Sequence, residues 1–157
     1  MAATGCTVLV MTALVHLQSL LDDLADRLGF DAESCRPPMI PRSDSFHLVP
    51  KGDRFDLIHP GDASRCESGL GLEDAAYEVL FAAALVFAHA DAAARGDGSY
   101  SRWNWMGAHI HFMEQARPDW GDRTRAHYRR ILTAEPLSDA EIAAIRPGLL
   151  RPDKLKA

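Results

Sequence analysis

Seven histidines are the residues of this chain best suited to acid–base or metal chemistry, and four of them, His47, His59, His89 and His109, are candidates for one shared site. A catalytic metal needs three protein ligands and an oriented surrounding shell. The spacing supplies no ready pair: His109-Ile110-His111 places two imidazoles two residues apart, which on a helix sends them to different faces, whereas helical metal pairs are three or four apart. His109 is therefore expected to pack or hydrogen-bond at the edge of a core, and His111 to face solvent. Nucleophilic chemistry has less support, because no G-x-S-x-G elbow, P-loop or G-x-G-x-x-G run occurs. The three cysteines, Cys6, Cys35 and Cys66, are far apart and outside any C-x-x-C pattern, so reduced thiols are expected rather than a zinc site or a disulfide framework. Glu78 and Glu114, each alone on a predicted helix, read as solvated face residues.

Tryptophan carries the largest contact surface of any side chain and is favoured in cores and at the centres of interfaces. Trp103 and Trp105 cannot share one helical face; Trp103 is expected in the core and Trp105 on the other side or partly open. Arg102 opens the same helix, where the dipole disfavours a cation, so a compensating carboxylate is expected: Glu73, Asp74 or Asp97.

These residues sit on a chain of 157 residues with 47% hydrophobic content and a formal charge of -5, which predicts a single domain over 1–157 with one core. The charge disfavours phosphate backbones, so no nucleic acid is expected, and a basic protein partner suits it better. The apolar run Thr7 to Leu17 has neither the charged start of a secretory signal nor the length of a membrane span, so a cytoplasmic protein without membrane association is expected.

Leu14, Leu17, Leu20, Leu21, Leu24 and Leu28 recur at helical spacing opposite Asp22, Asp23, Asp26 and Arg27, predicting an amphipathic helix over 13–28 ended by Gly29. The prolines between Cys35 and Pro41 forbid a regular helix. Two short extended runs flank Lys51-Gly52-Asp53 and predict a β-hairpin within 44–60, with a third strand near Ser64 to Glu67. A wide apolar stripe from Leu72 to Ala90 predicts a central helix over 72–95, apolar all round from Leu80 to Ala88 and packed against helices over 99–117 and 119–133. Asp97 or Ser99 is the expected cap of the first of these and Asp119 of the second. Ser138-Asp-Ala-Glu141 is a capping box that starts a last short helix reaching about Ile145. The ends, 1–12 and 147–157, are expected to be loosely held. The fold class is thus mainly α with a small antiparallel β-hairpin (α+β), with about five helices.

From about Leu17 to Pro136 the chain resembles a family of bacterial immunity proteins of polymorphic toxin systems, the immunity protein 63 family. The resemblance rests on the order of elements, on Glu73-Asp74-Ala75-Ala76-Tyr77 opening the long apolar helix, on Arg95 before Gly96-Asp97-Gly98, on Arg102 opening the next helix and on Pro118-Asp119-Trp120. Trp103 stands where that family has a second arginine, Tyr100-Ser101 stand where an acidic and an aromatic residue are usual, and the helix from Ser138 lies beyond the matched part. The resemblance implies an immunity protein, not an enzyme and without a cofactor, that neutralises a cognate toxin domain by stoichiometric surface binding; the chain's own acidic charge suits a basic toxin. The partner-binding candidates are Asp22, Asp23, Asp26, Glu73, Asp74, Glu78, Arg102 and Trp105. Two other readings remain open: a small metal-dependent enzyme using His47, His59, His89 and His109, and a helical regulatory or oligomerisation module. Neither the toxin's activity nor the oligomeric state can be read from these residues.

Overall fold

The computed structural model describes residues 3–42, 44–61, 66–95 and 100–153, with side chains described from Met11 onward. Gly96-Asp97-Gly98, Ser99, Ser64, Arg65 and the side chain of Cys6, all used above, lie outside the described residues. Five α-helices and a three-stranded antiparallel sheet make a mainly α protein with a small β component. Residues 1–80 and 81–157 form two compact units.

In the first unit α1 runs from Ala3 to Leu28, so the helix begins ten residues before the expected Ala13. The apolar stretch that resembled a failed signal sequence is the first half of this helix. Leu17, Leu21, Leu24 and Ala25 are buried at the predicted spacing, and Gly29, at φ +68°, ends the helix in the left-handed conformation that glycine reaches without penalty. Strands β1 (His47–Lys51) and β2 (Arg54–Ile58) pair with Lys51 opposite Arg54, which leaves a two-residue loop. Gly52 takes the first loop position at φ +68°, as a type II′ turn requires. Pro50 is tolerated because β1 is an edge strand. The third strand, β3, is Glu67–Leu70, beginning where the expected segment ended, and it pairs with β2 across a register shift between Phe55 and Leu57. Leu48, Phe55 and Leu57 point into the core of this unit by the two-residue alternation of a half-buried sheet.

Helix α2 (Leu72–Ala94) contributes residues to both units. By length and composition it is apolar enough to cross a membrane, and Ala75, Ala76, Val79, Leu80, Ala83, Ala84 and Ala88 bury one side of it. The burial is one-sided even in the all-apolar stretch, where Val86 is 68% exposed.

In the second unit α3 (Arg102–Ala116) and α4 (Pro118–Ala134) pack together, and the latter half of α2 lies against both through Phe81, whose ring is 4.4 Å from that of His109 and 5.2 Å from that of His127. Trp103, Met106, Ile110 and Tyr128 form the buried centre. Two caps differ from expectation. Ser101 caps α3, its hydroxyl accepting from the amide of Trp103 at 3.3 Å, and α4 starts on Pro118 after Arg117 with no side-chain cap, Asp119 falling inside its first turn. Proline at the first helical position has no N–H to satisfy, the amides of Trp120 and Gly121 donate to the Arg117 carbonyl, and Asp119 pairs with Arg117 at 3.1 Å.

The box at Ser138 forms as read, with Glu141's amide donating to Ser138 Oγ at 3.2 Å and Ser138's amide donating to Glu141 Oε2 at 3.0 Å, and opens α5 (Asp139–Ala143). Just beyond Pro147 the chain is tied down, Leu149 packing on the buried centre and the Leu150 carbonyl accepting the indole N–H of Trp103; residues 154–157 lie outside the described residues.

Candidate partner-binding residues

Asp22, Asp23 and Asp26 are exposed on the last two turns of α1, where the apolar stripe that buries Leu17, Leu21 and Leu24 turns the intervening positions outward. Asp22 accepts a hydrogen bond from Gln18 at 2.7 Å. The same outward side carries Met11 and Val15, 60% and 61% exposed, so one helix face passes from apolar to acidic along its length. Glu73 and Asp74 are exposed in the first turn of α2, where the helix dipole favours them, and Glu78 is half-buried about one turn on. Below α1, Cys35 is fully buried, and burial, reinforced by Asp31 and Asp22, pushes its thiol up to about 11, which keeps it protonated and inert.

Arg102 has a different partner from those expected. Its Nε donates to Glu141 Oε1 at 2.7 Å and its Nη2 to Glu141 Oε2 at 3.2 Å and to the Pro136 carbonyl at 2.9 Å, with Glu135 a further 3.7 Å contact. Glu141 Oε1 also lies 3.4 Å from the amide of Arg102, so the carboxylate that completes the box of α5 sits at the N-terminus of α3 and offsets the cation there. Both side chains are largely covered, at 21% and 13% exposure. The guanidinium and the Ser138 amide hold the Glu141 carboxyl down to about 2. At the other end of α5, Asn104 Nδ2 donates to the Ala144 carbonyl at 3.1 Å and its Oδ1 accepts the Arg146 amide at 2.8 Å. Arg102 thus acts as a structural clamp between α3 and α5.

This double use of one carboxylate sets an order of effects. Ser138→Ala is expected to cost about 1 kcal/mol, the usual value of a lost cap, and Glu141→Ala about 2–3 kcal/mol because a half-buried arginine also loses its acceptor. Urea denaturation at pH 7 measures both, and equal losses for the two variants would show that the Arg102 pair contributes nothing. The sign with pH follows from the lowered carboxyl: the contribution is complete above about 4.5, the ordinary value, and is lost as pH falls toward about 2.

Trp105 is half-buried and stacks on the exposed His89 with ring centroids 4.4 Å apart at 26°, while its edge meets Tyr128 at 5.8 Å. His109, two turns from Arg102 on α3, lies deeper than expected: it is completely buried, with Nδ1 hydrogen-bonded to the Tyr128 hydroxyl at 2.6 Å. Its Nε2 meets no hydrogen-bond partner. Burial drives its pKa down to about 3 against the opposing pull of the Phe81 backbone, so it is neutral at pH 7. His127 is lowered by burial and by Arg130. His111 is exposed, as its spacing suggested.

His47 lies on β1, and His59, just past β2, is 6.2 Å ring to ring from Phe46. These two belong to the first unit, and His89 and His109 to the second. Among the described residues no group of three histidine, cysteine, aspartate or glutamate side chains is close enough to hold a metal ion.

Sequence reasoning missed Glu141 as the partner of Arg102, because the local capping box already accounts for that carboxylate, and missed Tyr128 as the partner of His109. Both are contacts between different helices, 39 residues apart for Arg102 and Glu141 and 19 for His109 and Tyr128, and helical spacing alone does not reveal them. The arrangement is a mainly helical protein with Asp22, Asp23 and Asp26 exposed on α1 and Arg102 held by Glu141. No family model, curated protein or solved structure matches the chain.

Proposed function

We propose that the protein is an immunity protein that binds a cognate bacterial toxin domain one to one and blocks it by covering its surface, without catalysis. The observation that carries this reading is the outer face of α1, where exposed Met11 and Val15 are followed by Asp22, Asp23 and Asp26. Exposed apolar residues can supply contact area and a neighbouring polar rim its edge, and the acidic end would steer a basic partner such as a nuclease domain. The resemblance described above supports the same reading.

The decisive experiment is co-expression with a toxin domain, should a neighbouring gene encode one. Rescue of growth and co-elution as a 1:1 complex is the expected result; failure of both would overturn the proposal. With the complex in hand, the triple variant D22N/D23N/D26N is expected to slow association about tenfold at low ionic strength, with the difference shrinking near 0.5 M salt, as steering by exposed charge requires. A stopped-flow association rate indifferent to both changes would place the interface elsewhere.

A further inference from the structure

A concavity of about 610 Å3 lies among the last turns of α4, α5 and the segment after Pro147, all within the second unit. We propose that it is a binding site for a small amphiphilic anion, an aliphatic chain ending in a carboxylate. Its volume lies within the range of natural small-ligand sites, roughly 300–1,000 Å3. Leu132, Leu137 and Ile145 line it half-buried, and Ile142 is 50% exposed to it and to solvent, so apolar surface is held open in a concave wall where an alkyl chain would displace water.

Charge selects the head group. Among the described residues that line the concavity two are cationic, Arg129 and Arg151, and one is anionic, Asp153; Arg129 has an interaction of its own, so the head group is assigned to Arg151. A guanidinium presents a planar fork that matches a carboxylate, so an anionic head is favoured over a neutral or cationic one. One wall is also preformed. Glu141 on Arg102 and Asn104 on Ala144 fix α5 at both ends, so little ordering is required when a ligand enters.

Calorimetric titration of the full chain with decanoate, and with decanol and decylamine as head-group controls, tests the assignment. Decanoate is expected to bind saturably at one site, decylamine not at all. Arg151→Gln should weaken decanoate about tenfold while leaving decanol unchanged, and Ile142→Glu, at a position exposed enough to keep the fold, should abolish decanoate binding with an unaltered circular dichroism melt. No saturation by about 1 mM decanoate, equal affinity for decylamine, or undiminished binding by Ile142→Glu would each overturn the proposal. Concentration-dependent dimerisation that Ile142→Glu removes would overturn it as well, by assigning the concavity to a second copy of the chain. The prediction does not depend on the toxin-binding reading, and its outcome leaves that reading untouched.

Discussion

Gly121→Ala is expected to destabilise the protein by about 3 kcal/mol, read as a lower urea midpoint with an unchanged slope. Gly121 is buried on α4, and a Cβ there would stand 2.7 Å from the Cβ and 2.9 Å from the Cα of Glu114 on α3. Neither atom can rotate away, since one belongs to the backbone and the other is fixed to it. Alanine would gain about 1 kcal/mol of helix propensity, but separating two packed helices costs more, and the loss extends to the Arg125–Glu114 ion pair at 2.7 Å that bridges them. Gly107→Ala is the control. There the nearest atoms, in Trp103 and Leu149, are 3.5–3.6 Å from the added Cβ, an ordinary contact, so that variant should match or exceed the native protein. If Gly121→Ala were as stable as Gly107→Ala, α3 and α4 would not approach as closely as described.

Acid is expected to begin destabilising the protein above the carboxylate range, and His109 is the reason. Its folded pKa is lowered to about 3 from the ordinary 6.5, so between those values the unfolded chain binds a proton that the native state refuses. Stability from this group is therefore complete above about 6.5 and declines as pH falls, by up to about 1.4 kcal/mol per pH unit, until the native imidazole itself is protonated near 3. His109→Phe should fill the same space between Phe81 and Tyr128 and flatten the stability profile between about pH 6 and 4.5, at the cost of the Tyr128 hydrogen bond. Denaturant midpoints measured across that interval decide it: parallel profiles for the native chain and the variant would mean that His109 is not held neutral by burial. The Glu141 contribution is separable because it fades only below about 4.5.

Both effects belong to contacts that the sequence reading did not reach, and the reason is physical. Elements governed by local chemistry were legible: the leucine spacing of α1, the glycine-dependent turn at Gly52, the apolar stripe of α2 and the box from Ser138 to Glu141 each follow from neighbours within a few residues. What was not legible was pairing at a distance. Arg102 lies 39 residues from Glu141, and nothing local distinguishes that carboxylate from Glu73 or Asp74, which have the right charge and lie nearer in sequence. Gly121 gave no sign of its neighbour, because a glycine inside a helical stripe looks the same whether or not another backbone crosses it. The start of α1 was misplaced since Thr7 to Leu17 lacks the polar alternation that marks a surface helix. The partner-binding candidates divided accordingly: the aspartates of α1, read from amphipathic spacing, are on the outside, whereas Arg102 is occupied by an internal carboxylate.

The clamp on α5 has a practical corollary. Five residues are too few to hold a helix in water by themselves, so this element persists only because α3 grips its two ends, and in return α5 and the strand of chain after it shield Trp103, Met106 and Ile110. A shortened version trimmed to the stretch that carries the family likeness, stopping near Pro136, would forfeit that shield and leave a greasy, sticky flank. Anyone preparing fragments for crystallisation or display should keep the chain through Asp153.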